Sequence, residues 1–228
     1  MNITENKDLA RHYFNVIRSK VDNKRGLEIH AAYLDGLCLL KTFYRLTLDD
    51  PPPLSDKSIL FFMSGLCVED WLAPVKQEPK ECDGIIGSVD GFTPDGELLE
   101  IKSTRKGLNL FDPAKSYPWW ITRLKTYCAI HNKSVVNLLV FFWVGDRKAE
   151  PIAMRAYRFE FTDEELEANW FRVTHRANVL RAALHDNEPI PMHELEVQEW
   201  EHRDCEFAPM CYYLQNRGNH NGNDIEDI

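Results

Sequence analysis

GIIGSVDGFTPDGELLEIKSTR, running from Gly84 to Arg105, carries Asp90, then a turn, then Glu100-Ile101-Lys102. Ile85 to Phe92 reads as one strand and Glu97 to Thr104 as a second. Between them, Thr93-Pro94-Asp95-Gly96 has a turn's chemistry: proline fixes φ and glycine is free to take φ > 0. Alternation along the second strand puts Glu100 and Lys102 on one face and Leu99, Ile101 and Ser103 on the other. Such a hairpin can set Asp90 beside Glu100. Two carboxylates that close repel unless a divalent cation lies between them, and hard oxygen ligands suit Mg²⁺ or Mn²⁺. A lysine two residues on can orient an attacking water, an arrangement that suits cleavage of a phosphodiester. Taken alone, such a match is more often a solvated acidic hairpin with Lys102 as its surface partner. The rest of the chain weighs between the two readings.

Other motifs stand around the hairpin. Cys38 opens a C-L-x-x-x-x-Y run that ends at Tyr44, and Gly65 precedes Glu69 by four residues. Asp90 lies within Gly87-Ser88-Val89-Asp90-Gly91. Arg123 and Tyr127 are four apart and share a helical face. His202, Cys205 and Cys211 cluster near the C-terminus. In this order, over roughly Ala31 to Cys211, the chain resembles the PD-(D/E)XK nuclease superfamily in its RecB-like branch. That branch includes the nuclease domain of RecB and the small iron–sulfur exonucleases of CRISPR adaptation. Two positions depart from the family pattern. Arg123 stands where glutamine is usual, which keeps a donor able to reach phosphate. His202 stands where the first clustered cysteine is usual, which bears on the identity of the metal.

The resemblance implies an α/β fold: a restriction-endonuclease-like core with a central mixed sheet of four or five strands, flanked by helices, and a metal-stapled C-terminal segment. It implies catalysis by Asp90, Glu100 and Lys102, with Mg²⁺ or Mn²⁺ held by Glu69, Asp90, Glu100 and the carbonyl of Ile101. Arg123 and Tyr127 would contact DNA. Cys38, His202, Cys205 and Cys211 would hold a [4Fe–4S] cluster; as a Cys₃His set they suit tetrahedral Zn²⁺ as well. His202 as a bystander, with Cys67 or Cys82 as the fourth ligand, is the other arrangement. The expected activity is a DNA exonuclease on single strands or ends, in recombination, repair, phage replication or CRISPR adaptation. The alternative is a non-catalytic nucleic-acid-binding or structural subunit of a DNA-processing complex. A helicase or integrase partner fits either, and resembling exonucleases include ring-forming oligomers.

Composition agrees with a globular protein: 228 residues, 44% hydrophobic and 11% aromatic, enough for a substantial core. The longest apolar run, Val135 to Val144, is strand-length and far short of the ~18 residues of a membrane span. The polar N-terminus has no signal-like apolar stretch, so the expected location is the cytoplasm, or a host's cytoplasm for a viral protein. Six cysteines without secretion point to reduced thiols or metal ligands. A net charge of −9 runs against the basic face expected of a DNA-binding protein. Lys102, Arg105, Lys106, Lys115, Arg123 and Lys125 nevertheless crowd around the hairpin and its neighbours.

Periodicity predicts helices over Glu5–Val21, His30–Tyr44, Ile59–Leu72 and Trp119–His131, and a loop over Leu46–Ser58. Val135–Val144 and Ala156–Phe161 read as strands. Thr162-Asp163-Glu164-Glu165 is a capping box opening a helix that runs to about His185. Trp119, Trp120, Trp170 and Trp200 read more readily as core than as base-stacking residues. Residues 1–216 form one domain on this reading, and residues 217–228 a disordered polar tail.

Overall fold

Along Val135–Phe142 (β5), Val136, Leu138, Val140 and Phe142 are fully buried and alternate with half-buried residues. This is the pattern of a strand covered on both faces. In the computed structural model, which describes residues 7–21, 26–35, 38–73, 75, 77–143, 153–191, 195 and 205–211, β5 lies inside a four-stranded mixed sheet. Its neighbours are Leu98–Thr104 (β4), paired in parallel, and Ala153–Glu160 (β6), paired antiparallel. Gly91–Phe92 (β3) adds a short antiparallel pairing on the other side of β4. The turn into β4 forms as its residues predict: Gly96 takes φ +79 and Thr93 N–H donates to Glu97 O at 2.8 Å.

Helices cover both faces. On one, Leu98 and the buried residues of β5 pack against Leu124, Tyr127 and Cys128 of Pro118–His131 (α4). Val173, Ala177 and Leu180 of Asp163–Asp186 (α5) belong to the same core. On the other, Leu99, Ile101, Leu139 and Phe141 meet Val68 at the end of Asp56–Leu72 (α3) and Ala73 beyond it. Lys7–Val21 (α1) packs on α3, where Arg18 reaches Leu54 O and Asp56 at 3.0 Å. Both halves of the capping box form: Thr162 Oγ1 accepts from Glu165 N–H, and Glu165 Oε2 accepts from Thr162 N–H. The expected α/β class, with a central mixed sheet between helices, is the fold observed. None of the described helices is long and apolar enough to cross a membrane.

Two segments differ from expectation. Ile85–Phe92 is not one strand. Asp83 and Gly84, at φ 50 and 70, close a separate hairpin of Lys80–Cys82 (β1) and Ile85–Gly87 (β2), and the chain breaks at Ser88–Asp90 before β3. Nor is His30–Tyr44 one helix. A 3₁₀ turn at Ala31–Tyr33 gives way to extended backbone at Cys38, and Leu39–Thr47 (α2) follows. The helix expected at Ile59 opens earlier, at Asp56, because Ser55 caps it by accepting from Ser58 N–H.

Gly87 marks where α4 seats closest to β2. A Cβ there would lie 2.7 Å from Ile130 Cδ1 and 3.2 Å from the Tyr127 ring. Gly87→Ala should cost about 1–3 kcal/mol through overpacking, read by chemical denaturation. It should also displace Tyr127, read as a change in near-ultraviolet circular dichroism.

Candidate active site

The break at Ser88–Asp90 gives the Asp90 side chain a partner that a straight strand would have denied it. β3 pairs with only Leu98 and Leu99, and beyond them Asp90 Oδ2 accepts from Ile101 N–H at 2.6 Å. Lys102 Nζ lies 4.0 Å from the same oxygen, donates to Ile101 O at 3.1 Å, and bonds Glu100 Oε1. One ammonium therefore faces both carboxylates and the intervening carbonyl. Glu100 is buried, and its Oε2 has no hydrogen-bond partner.

The other wall is α4, lying on the sheet face that Glu100 and Lys102 share. Arg123 donates from Nε to Asp35 Oδ2 at 2.7 Å and bonds the same oxygen through Nη2. Asp35 is buried, and its Oδ1 has no hydrogen-bond partner. Burial raises its carboxyl above the usual range, against the opposing pull of Arg123 and Lys102. Burial likewise raises the Tyr127 phenol, with the charges of Glu100, Asp90 and Asp35 adding to it. These mutual influences put Asp35, Asp90, Glu100, Lys102, Arg123 and Tyr127 in one electrostatic cluster. Asp35 is the member that sequence reading missed. It lies 88 residues from its partner, inside the segment read as a helix from His30 to Tyr44, where nothing local marks it out.

Asp90 is the most perturbed carboxyl of the hairpin. Burial first, then the charge of Glu100, push its pKa up to about 6, while Lys102 and the Ile101 amide oppose. Glu69 is half-buried on α3, across β4 from this face; Ala73, one turn on, approaches Gly91, the residue after Asp90. Among the described residues, no group of three or more His, Cys, Asp or Glu side chains is set to hold a metal ion. The donor set in this cluster consists instead of two carboxylates and a carbonyl.

Cys38, Cys205 and Cys211 come together at the start of α2. Burial, then the charges of Cys38 and Cys205, push the Cys211 thiol up to about 11. The segment between the last two is tied to α2: Lys41 pairs with Glu206 at 2.9 Å, Arg45 pairs with it too, and Phe207 stacks on Tyr44. His202 lies outside the described residues. Cys67 is exposed on α3, and Cys82 lies with Cys128 and Trp170 around a different cleft. All six cysteines are free thiols, and Cys128 is core.

No family model matches the chain, and no curated protein does. Among solved structures it is similar to a protein designated SSO0001, at 16% identity and a TM-score of 0.54, over 89% of this chain and 95% of that one. That likeness establishes a shared fold. Looser similarities, at TM-scores of 0.48 and 0.44, are to an alkaline exonuclease from Laribacter hongkongensis and a phage-related exonuclease from Haemophilus somnus 129PT. Identities are 12% and 9%, over 76% and 77% of this chain and 95% and 100% of theirs.

The raised Asp90 pKa has a definite sign. Unfolded, the carboxyl titrates near roughly 4; folded, at about 6. Ionising it therefore opposes folding: the penalty is full above about pH 6, fades as pH falls from about 6 to about 4, and is absent below about 4. In EDTA, Asp90→Asn should be more stable than the wild type by about 2 kcal/mol at pH 8, and by almost nothing at pH 4, as read from denaturant midpoints. For the pair across the cluster, Asp35→Ala leaves a buried guanidinium uncompensated. It should cost about 3–5 kcal/mol, measured in the same way.

Proposed function

We propose that this chain is a metal-dependent DNA nuclease of the PD-(D/E)XK type, RecB-like branch, with Asp90, Glu100 and Lys102 as its catalytic residues. One observation carries the reading: Asp90, Glu100 and the carbonyl of Ile101 converge on a single cation, the chain's own Lys102 ammonium. A donor set that draws in the nearest positive charge is a set that can hold a divalent one. The unpartnered Glu100 Oε2 is a further oxygen of the right hardness. Asp90, Glu100 and Ile101 O would hold Mg²⁺ or Mn²⁺; Glu69, on α3 across β4, would join them only by reaching round the open edge beside Asp90. When bound, the cation supplies positive charge against the negative charge that develops on a phosphodiester under attack.

The chain's own groups supply the rest of the chemistry. Lys102, displaced from the oxygens by a bound cation, keeps a proton donor beside Glu100 to orient the attacking water. Arg123 is fixed by Asp35, so its remaining N–H groups are pre-aimed for a phosphate oxygen at little entropic cost. Tyr127 stays protonated and donates from the next turn of α4. Single strands or ends remain the proposed substrate, with recombination, repair, phage replication or CRISPR adaptation as the setting.

A soft-metal staple, [4Fe–4S] or Zn²⁺, on Cys38, Cys205, Cys211 and His202 rests on the family resemblance: the three described cysteines influence one another but are not set as a metal-holding group; a brown protein would point to iron. A non-catalytic DNA-binding subunit is the alternative reading. Lys102 distinguishes the two, because a binding subunit has no need of an amine between two carboxylates. Wild-type protein should cut labelled single-stranded DNA with Mn²⁺ and not with EDTA. Lys102→Ala should lose at least about a hundredfold in rate, with circular dichroism confirming that it is folded at the assay temperature. Cleavage that persists in EDTA, or is undiminished in Lys102→Ala, would remove the proposal.

A further inference from the structure

Beyond the cluster, at the carboxyl ends of the parallel strands β4 and β5, an open cleft of about 350 Å³ lies between α3 and the start of α4. Two elements lead to it from the candidate active site, β4 and α4. On β4, Glu100 and Lys102 are followed by Ser103, Thr104 and Arg105, which line the cleft. Three residues from Lys102 to Arg105 span about 10 Å of extended chain. On α4 the order reverses: Tyr127 and Arg123 stand at the cluster, and Trp120, Trp119 and Tyr117 at the cleft.

The lining has an unusual make-up for this protein. It is rich in aromatic rings, holds one cation in Arg105, and includes no carboxylate, although the chain as a whole carries −9. Some rings are structural. Trp120 packs on Tyr117 at 4.2 Å, and the Tyr117 hydroxyl is tied to Thr104 Oγ1 at 2.7 Å. Others offer their surfaces: Trp143, just past β5, and Phe61 of α3 are 38% and 39% exposed. The Arg105 guanidinium lies 5.1 Å from the Phe61 ring centre, which leaves it at the rim as a charge for phosphate.

We infer that this cleft is a subsite for unpaired nucleotides. The bases next to the scissile phosphate stack on Trp143 and its aromatic neighbours, and Arg105 takes the adjoining backbone. Every base has a π-face, so such a platform reads no sequence, but it excludes a base still paired and stacked in a duplex. The inference rests on the nuclease reading of the neighbouring cluster and gives it a substrate class, single-stranded nucleic acid.

The test is binding by the full-length protein with Ca²⁺ in place of Mg²⁺ or Mn²⁺, a hard dication that fills an oxygen site without their octahedral geometry, followed by fluorescence anisotropy. The probes are a labelled single strand, an abasic strand of the same length, and a duplex. The base-bearing strand should bind about tenfold or more tighter than the abasic strand, the size of one or more base–aromatic stacks. Trp143→Ala should erase most of that ratio, and Trp143→Phe should keep most of it, with circular dichroism confirming that both are folded. Equal binding of the two strands, no binding of either, or an unchanged ratio in folded Trp143→Ala overturns the inference. The Lys102→Ala cleavage assay fails or succeeds independently. Base-dependent binding without any cleavage would sink the nuclease reading and leave the subsite standing.

Discussion

Asp90 holds the Ile101 amide with its side chain at 2.6 Å, in the place where a strand neighbour's carbonyl would otherwise serve. That substitution sets the geometry of everything around it. It ends the β3–β4 ladder after two residue pairs, so the edge of β4 opens where Glu100 and Lys102 lie. It also fixes the Asp90 carboxylate in a half-buried position beside the buried Glu100, where both carboxylates are costly. The break in the strand and the concentration of negative charge are one feature.

The cluster leaves part of its carboxylate charge unmet. Asp35, Asp90 and Glu100 face Lys102 and Arg123, with Arg176 acting on Asp35 as well, yet two carboxylate oxygens, Asp35 Oδ1 and Glu100 Oε2, have no hydrogen-bond partner. A chain can meet such a deficit by holding a proton, and the upward shift of Asp90 is that response. A divalent cation meets it as well. The two would compete for the same oxygens, so on the proposed reading metal binding would weaken as pH falls through about 6. Instability stored in this way is characteristic of functional sites rather than of folding determinants.

How much of this was legible depended on sequence separation. The hairpin turn, the shared face of Glu100 and Lys102, and the Thr162–Glu165 capping box are local, and their residue types fix them. The Arg123–Tyr127 pairing on one face of α4 follows from helical spacing alone. Asp35 was out of reach because nothing near it in the chain announces a partner 88 residues away. The two-strand misreading at Ile85–Phe92 had a visible warning. Asp83-Gly84 is a strong two-residue hairpin signal, and a strand that starts immediately after such a turn pairs backward first, here with β1. The break that follows was hidden because Ser88, Val89 and Asp90 look no different from strand residues until Asp90 is seen bonding the backbone.

The acidic balance of the chain, at first sight contrary to nucleic-acid binding, takes on a different sense once its distribution is known. Phosphate contacts govern affinity for nucleic acid, and a protein with −9 overall cannot rely on a general basic surface. On the reading proposed here, it needs positive charge only along the path of the strand, and needs it there without neighbouring carboxylates. The cleft beside the cluster has that character. At the cluster itself, on the same reading, the carboxylates would be the ligands, and bound metal would supply the positive charge that offsets them. Substrate affinity and metal occupancy would then be coupled: without the cation, the same oxygens that hold it repel the phosphate it is meant to attract.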